Sequence, residues 1–138
     1  YYALVQFDKV QPYAEPEDEK IAWFDIDRIT DLKIDHNQIV DKALETIRLQ
    51  IGYIPIGYEL LPEKFTMPEL RTIYEAIVGQ PLDRRNFQRK MLSIGLIRRL
   101  NETRPSGAHK SPILYEFDKE KYEDALKYGL QLMDWRFS

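Results

Sequence analysis

Residues 65–95 spell two short amphipathic helices separated by a four-residue turn, and that arrangement constrains the fold more tightly than any other feature of the chain. Thr66 is an N-cap and Glu69 follows three residues later, the capping-box pattern in which each side chain accepts the other's backbone N–H. Pro68 falls in the first turn, where no intrahelical bond is lost, and Phe65 and Leu70 have the spacing of a hydrophobic staple. Leu70, Ile73, Tyr74 and Ile77 then recur on one face to about Val78, and Gly79 ends the helix. After the turn Gly79-Gln80-Pro81-Leu82, Asp83 caps a second helix with Leu82 and Phe87 as its staple. Phe87, Met91 and Ile94 form its apolar stripe, and Gly95 ends it. Helix, short Gly-containing turn and second helix together make a helix-turn-helix.

The residues after Gly95 extend that unit. Leu96–Leu100 and Ile113–Phe117 read as two strands around a polar, basic stretch from Asn101 to Pro112 with Gly107 near its middle, a hairpin with a long tip of the kind called a wing. Tyr122, Ala125, Leu126, Gly129, Leu130, Met133 and Phe137 recur at helical spacing and predict a closing helix over Glu120 to Phe137.

The first part of the chain is less complete. Tyr1–Phe7 and Ile21–Ile26 have the apolar, aromatic character of strands, and the prolines and acids from Gln11 to Lys20 between them mark a loop. Asp35, with Gln38 in a capping-box position, predicts a helix whose stripe is Ile39, Val40, Ala43, Leu44, Ile47 and Ile51, stopped by Gly52. Two strands and one helix cannot close a sheet and cover both its faces, so this part is expected to need further chain. Tyr1 also lacks an initiator Met or a signal-peptide flank, and reads as the interior of a longer protein. Residues 53–64, with two prolines and a glycine among aromatics, form a connector, and the domain boundary falls near Pro62.

Charge is polarised along the chain. The net of −3 at pH 7 conceals an acidic segment 1–63, with six Lys and Arg against thirteen Asp and Glu, and a basic segment 64–117, with ten against five. From Arg84 to Lys110 there are eight basic residues and one acid, Glu102. Such asymmetry points the basic part toward nucleic acid. The absence of cysteine excludes disulfide scaffolds, thiolate zinc sites and cysteine nucleophiles and fits a cytoplasmic location. The two histidines, His36 and His109, are too far apart in sequence to suggest a metal site, and no apolar run approaches the roughly 20 residues of a membrane span.

With Phe87, Met91 and Ile94 turned inward, helical geometry puts Arg85 and Arg89 nearly opposite, with Asn86, Gln88 and Ser93 at the shoulders. Arg reads guanine, and Asn or Gln reads adenine, through paired hydrogen bonds in a major groove. Arg84 and Lys90 flank this face and suit phosphate contacts that set register without reading sequence. In the wing tip, Arg104, His109 and Lys110 accompany a small, flexible backbone at Gly107 suited to a phosphate or a minor groove. The bland alternative is a solvated basic face, but such faces ordinarily mix both signs.

The stretch from Phe65 to Leu92, followed by Gly107-Ala108-His109-Lys110 and Leu114-Tyr115-Glu116-Phe117, closely resembles the winged-helix half of the Nudix-related transcriptional regulators, the NrtR-like family. Trp23-Phe24-Asp25-Ile26-Asp27, Asp35-His36 and the helix after them resemble the end of that family's Nudix-like sensor domain. The resemblance implies an α+β fold class: an incomplete Nudix-like α/β portion over 1–62, followed by a winged helix-turn-helix domain over 63–138. It further implies a homodimer that binds double-stranded DNA at a palindromic operator and responds to a small-molecule effector, either a sugar, a sugar phosphate or an ADP-ribose-type nucleotide. Arg84, Arg85, Asn86 and Arg89 match its recognition helix, and Gly107, Ala108, His109 and Lys110 match its wing.

No Nudix box of paired glutamates on a helix occurs in these residues, so no catalytic residue, metal ligand or cofactor is expected. Two alternatives stay open: a fragment of a Nudix hydrolase whose basic C-terminal domain holds an anionic substrate, and a winged helix used for protein contacts. The effector-binding residues are unknown from the sequence, Tyr2, Trp23, Phe24 and His36 being equally suited to a core.

Overall fold

A computed structural model describes residues 1–13, 20–105, 107 and 111–130. The chain divides into two compact units, Tyr1–Glu45 and Thr46–Ser138. The division falls within a helix, α1 (His36–Gln50), upstream of the Pro62 boundary suggested by composition. The difference has a packing cause: Ile51 is buried and Ile56 and Leu61 pack on the core of the second unit, so the connector belongs to that unit.

The second unit is built around a three-stranded antiparallel sheet. Its strands are β1 (Phe65–Thr66), β2 (Ile97–Thr103) and β3 (Ile113–Phe117), in the order β1-β3-β2. Helices α2 (Met67–Val78) and α3 (Arg84–Ile94) lie between β1 and β2 in the chain, and α4 (Lys119–Tyr128) comes after β3. Phe65 pairs with Tyr115 and Thr66 with Leu114. On the other edge of β3, Ile97, Arg98, Arg99 and Thr103 pair with Phe117, Glu116, Tyr115 and Ile113, with a bulge between Arg99 and Thr103 that places four residue steps of β2 against two of β3. Such bulges bend and twist a hairpin.

Each helix of the pair begins and ends as its local chemistry dictates. Thr66 and Glu69 form the reciprocal capping box of α2, and Gly79 ends the helix at φ +80°. The Asp83 side chain accepts from the Asn86 N–H at 2.8 Å at the start of α3, and Gly95 closes it at φ +78°. Both staples are buried: Phe65 with Leu70, and Leu82 with Phe87. The core joins them to Tyr74 and Met91, with the Tyr74 and Phe87 rings edge to face at 5.4 Å. Five of these side chains, Phe65, Leu70, Tyr74, Phe87 and Met91, are almost wholly inaccessible, which at roughly 1.5–3 kcal/mol each makes this cluster the main source of the unit's stability.

The connector and α4 close a second, aromatic layer. Tyr58 and Phe117 pack against Tyr122, tilted and edge to face, with centroids 5.1 and 5.2 Å from its ring, and the Tyr122 hydroxyl donates to the Pro55 carbonyl at 3.0 Å. Gly57, at φ +116°, allows this approach, since a β-carbon there would lie 3.0 Å from Leu70 Cδ1 and 3.1 Å from Phe117 Cζ. The closing helix is described only to Tyr128, and the rest of its expected span lies outside the described residues.

The first unit departs from expectation. Tyr1–Phe7 and Ile21–Ile26, expected as strands, form none, and short 3₁₀ turns stand at Phe7–Lys9 and Ile26–Arg28. A strand is completed by a neighbour's ladder hydrogen bonds, and the only sheet among the described residues is that of the second unit. Helix α1 forms as expected, but its stripe is only half-covered at Val40, Ala43, Leu44 and Ile47, and Ile39 is exposed. None of the described residues from Tyr1 to Glu45 is buried, while Leu4, Val5, Phe7, Trp23, Phe24 and Ile34 all show apolar surface to solvent.

Candidate nucleic-acid interface

The turn of the helix pair is fastened by one glutamate. The Glu75 carbonyl accepts the Gly79 N–H at 2.9 Å, and its carboxylate accepts the Leu82 N–H at 2.9 Å, so both ends of the turn 79–82 are tied to a single residue of α2. Arg71 lies 3.3 Å from the same carboxylate, one helical turn back. Arg48, near the end of α1, donates from Nε to the Ile77 carbonyl at 2.9 Å and satisfies one of the orphan acceptors at the C-terminus of α2. Neither the Glu75 bond to Leu82 nor the Arg48 cap is visible in the sequence alone. Only the Arg71–Glu75 spacing hints at the first, and no local signal marks the second.

Held this way, α3 buries Phe87 and Met91, packs Ile94 against the core and turns its arginines outward. Arg84, Arg85 and Arg89 are exposed, and Asn86, Gln88 and Lys90 are half-buried beside them. Arg89 Nη2 donates to Asn86 Oδ1 at 2.8 Å, so the guanidinium is oriented by a neutral amide. Arg84 and Arg85 have no ion-pair or hydrogen-bond partner among the described residues. The outward face thus carries uncompensated positive charge beside amide groups.

The base of the wing is arranged differently. Arg104 Nη1 reaches Glu69 Oε1 at 2.5 Å and Nη2 donates to the Lys64 carbonyl at 3.2 Å, while the Arg104 N–H donates to the Pro112 carbonyl at 3.0 Å. The other carboxylate oxygen of Glu69 accepts the Thr66 N–H at 2.7 Å and the Thr66 hydroxyl at 3.0 Å. One glutamate therefore completes the α2 cap and anchors the wing. Burial by itself raises the Glu69 carboxyl, but the hydrogen bonds from Arg104 and Thr66 and the Arg104 charge outweigh it and hold the group below its ordinary value. Beside this pair, Lys64 and Glu102 form a second ion pair at 2.6 Å. Gly107 is exposed with nothing within 4 Å of an added β-carbon, and Ala108, His109 and Lys110 lie outside the described residues.

Among the described residues no three His, Cys, Asp or Glu side chains are grouped to hold a metal ion, and no helix is long and apolar enough to cross a membrane. In the first unit, Trp23 and Phe24 line an open cleft with Phe7, Asp25 and Arg28, while Tyr2 and His36 are exposed elsewhere on it.

Comparison with known proteins bears on this helix pair, sheet and wing directly. Residues 57–117, from the connector through the wing's return strand, match the NrtR DNA-binding winged helix domain. This segment is a winged helix of the NrtR family. The NrtR match starts at Gly57, the glycine packed against Leu70 and Phe117, and so includes part of the connector that composition assigned to the preceding domain. A curated relative, the "ADPR responsive transcriptional repressor NtrR" of Acinetobacter baylyi (strain ATCC 33305 / BD413 / ADP1), is 27% identical over 125 residues, which are 89% of this chain and 49% of the relative. Shewanella oneidensis NrtR, solved in complex with a 27mer DNA, shares the fold at TM-score 0.56 and 24% identity over 78% of this chain and 47% of that one. A second structure of S. oneidensis NrtR gives TM-score 0.54 and 24% identity over 74% and 44%. The chain spans about half the length of these NrtR relatives.

Proposed function

We propose that this chain carries the DNA-reading part of a transcriptional regulator, in which α3 enters the major groove. The observation that carries the reading is the outward face of α3, where Arg84, Arg85 and Arg89 are exposed with no carboxylate against them among the described residues. Arg85, Arg89, Asn86 and Gln88 face base edges, and Arg84 and Lys90 face phosphates on either side. The wing adds Gly107, His109 and Lys110 at a phosphate or minor groove, with Arg104 holding its base. Because one helix-turn-helix reads a half-site, the working form is a homodimer on a palindromic operator. The Acinetobacter relative is named as ADPR-responsive, which favours an ADP-ribose-type nucleotide as the effector over a sugar or sugar phosphate. A regulator of this kind works in the cytoplasm alongside its DNA, and no catalytic role is assigned to these residues.

The test is a titration of the protein against duplex from the promoter of its own gene, and against a scrambled duplex of equal length, at two salt concentrations. A tight complex on the promoter alone, with two chains per site, supports the reading. Equal, weak binding to both duplexes that vanishes with salt overturns it and leaves only a charged surface.

A further inference from the structure

Two adjacent arginines on β2 lie on opposite faces of the sheet, and the register decides which is which. Arg98 pairs with Glu116, and its guanidinium sits 2.9 Å from that carboxylate, so its charge is compensated in place. Arg99 pairs with Tyr115, which pairs in turn with Phe65 on the far edge of the sheet. Residues directly opposite one another in an antiparallel sheet share a face. Phe65 and Tyr115 are both buried in the core, so the row Phe65-Tyr115-Arg99 lies on the face covered by the helices. β2 is the edge strand of that sheet and α3 packs against it. Arg99 is exposed, is the last regular pair before the bulge, and has no carboxylate partner among the described residues.

The register thereby sorts the basic stretch. Arg98 is ion-paired with Glu116 and Arg104 with Glu69, whereas among the described residues no carboxylate pairs with Arg99 on the edge strand that contacts α3. We infer that Arg99 is a phosphate-binding residue of the DNA surface, gripping the backbone of the strand that passes between α3 and the wing. The inference rests on the reading of α3 as the recognition helix and adds to it a contact outside both the helix and the wing tip. A planar guanidinium suits a phosphate's paired oxygens.

The experiment measures the dependence of the binding constant on salt for the full chain and for Arg99→Gln, Arg99→Lys, Arg98→Gln and Arg85→Gln, on the promoter and scrambled duplexes, with thermal unfolding of each variant. Each neutralised phosphate contributes about −0.9 to the slope of log K against log salt. Arg99→Gln should make the slope shallower by about 0.9 and weaken both duplexes by the same factor. Arg99→Lys should keep the wild-type slope, and Arg98→Gln should match wild type in slope and affinity. A wild-type slope for Arg99→Gln, with Arg85→Gln still weakening the promoter complex, overturns the inference and leaves the recognition-helix reading intact. An equal loss for Arg98→Gln and Arg99→Gln also overturns it, because the two faces would then be equivalent. Failure of the wild-type chain to bind either duplex at low salt overturns the recognition-helix reading itself.

Discussion

Glu69 and Arg104 stand 35 residues apart in the chain and meet at 2.5 Å, joining the first turn of α2 to the base of the wing. The carboxylate serves both partners at once, accepting the Thr66 N–H at the helix cap with one oxygen and the Arg104 guanidinium with the other. Cap and wing therefore respond together to any change in this group.

The first prediction concerns acid. Glu69 is held below its ordinary value of 4.5 in the folded state, so the stability it contributes is present above that value and is lost as the pH falls through the folded-state value. The side chains of the pair are more than a third exposed, so solvent screening limits the effect. Glu69→Gln is expected to cost about 1 kcal/mol near neutral pH, the size of a lost cap. Urea unfolding at pH 7 and at pH 3 checks this: the gap between variant and wild type should narrow at the lower pH. A gap that widens on acidification would contradict the assignment.

A second prediction separates two glycines. Gly57 and Gly95 both have positive φ, so alanine at either position carries a backbone cost of about 1–2 kcal/mol. Only at Gly57 does the new β-carbon meet packed side chains, Leu70 and Phe117, which adds about 1–3 kcal/mol of overpacking. Gly57→Ala should therefore unfold at lower denaturant than Gly95→Ala, as circular dichroism would register.

The core supplies the third. Phe87 joins α3 to α2 through Tyr74 and is fully buried, so Phe87→Ala should cost about 3–5 kcal/mol. Tyr74→Phe keeps the ring and removes only the hydroxyl, whose titration burial pushes far up despite its bond to the Ile56 backbone. Its loss should be near 1 kcal/mol, about the net worth of one hydrogen bond. Calorimetry on the two variants should show this difference clearly, and similar losses would mean that the ring contact does not dominate.

The fourth prediction addresses DNA. Arg85→Ala and Arg89→Ala are each expected to cost about 1–3 kcal/mol on the operator and to relax preference at one base pair. Asn86→Ala should weaken binding partly through Arg89, since the Asn86 amide is the group that orients that guanidinium. A double-mutant cycle between Asn86 and Arg89 measures this, and strict additivity would show that the orienting bond is unimportant in the complex.

The helix pair was legible in the sequence because every signal that defines it is local. Thr66 and Glu69, Asp83 and Asn86, and the two staples act across three to five residues, so the chain's own order already places them together. The same holds for the exposed arginines of α3, which follow from helical period once the buried stripe is recognised. The paired glycine stops and the return strand Ile113–Phe117 stand where their chemistry predicts.

Tertiary structure decided what lies beyond that range. The expected strands at Tyr1–Phe7 and Ile21–Ile26 are absent because a strand's identity is completed by a partner's hydrogen bonds rather than by its own composition. Arg104 reads as a wing-tip cation until the fold brings Glu69 to it, and Arg48 has no visible role until its guanidinium reaches the Ile77 carbonyl. Arg98 and Arg99 are alike in the sequence, and only the register against Glu116 and Tyr115 puts one in an ion pair and leaves the other's charge exposed. Helix starts and stops belong to a few neighbouring residues, whereas the charge that remains free at a surface depends on which distant acids folding brings beside each base.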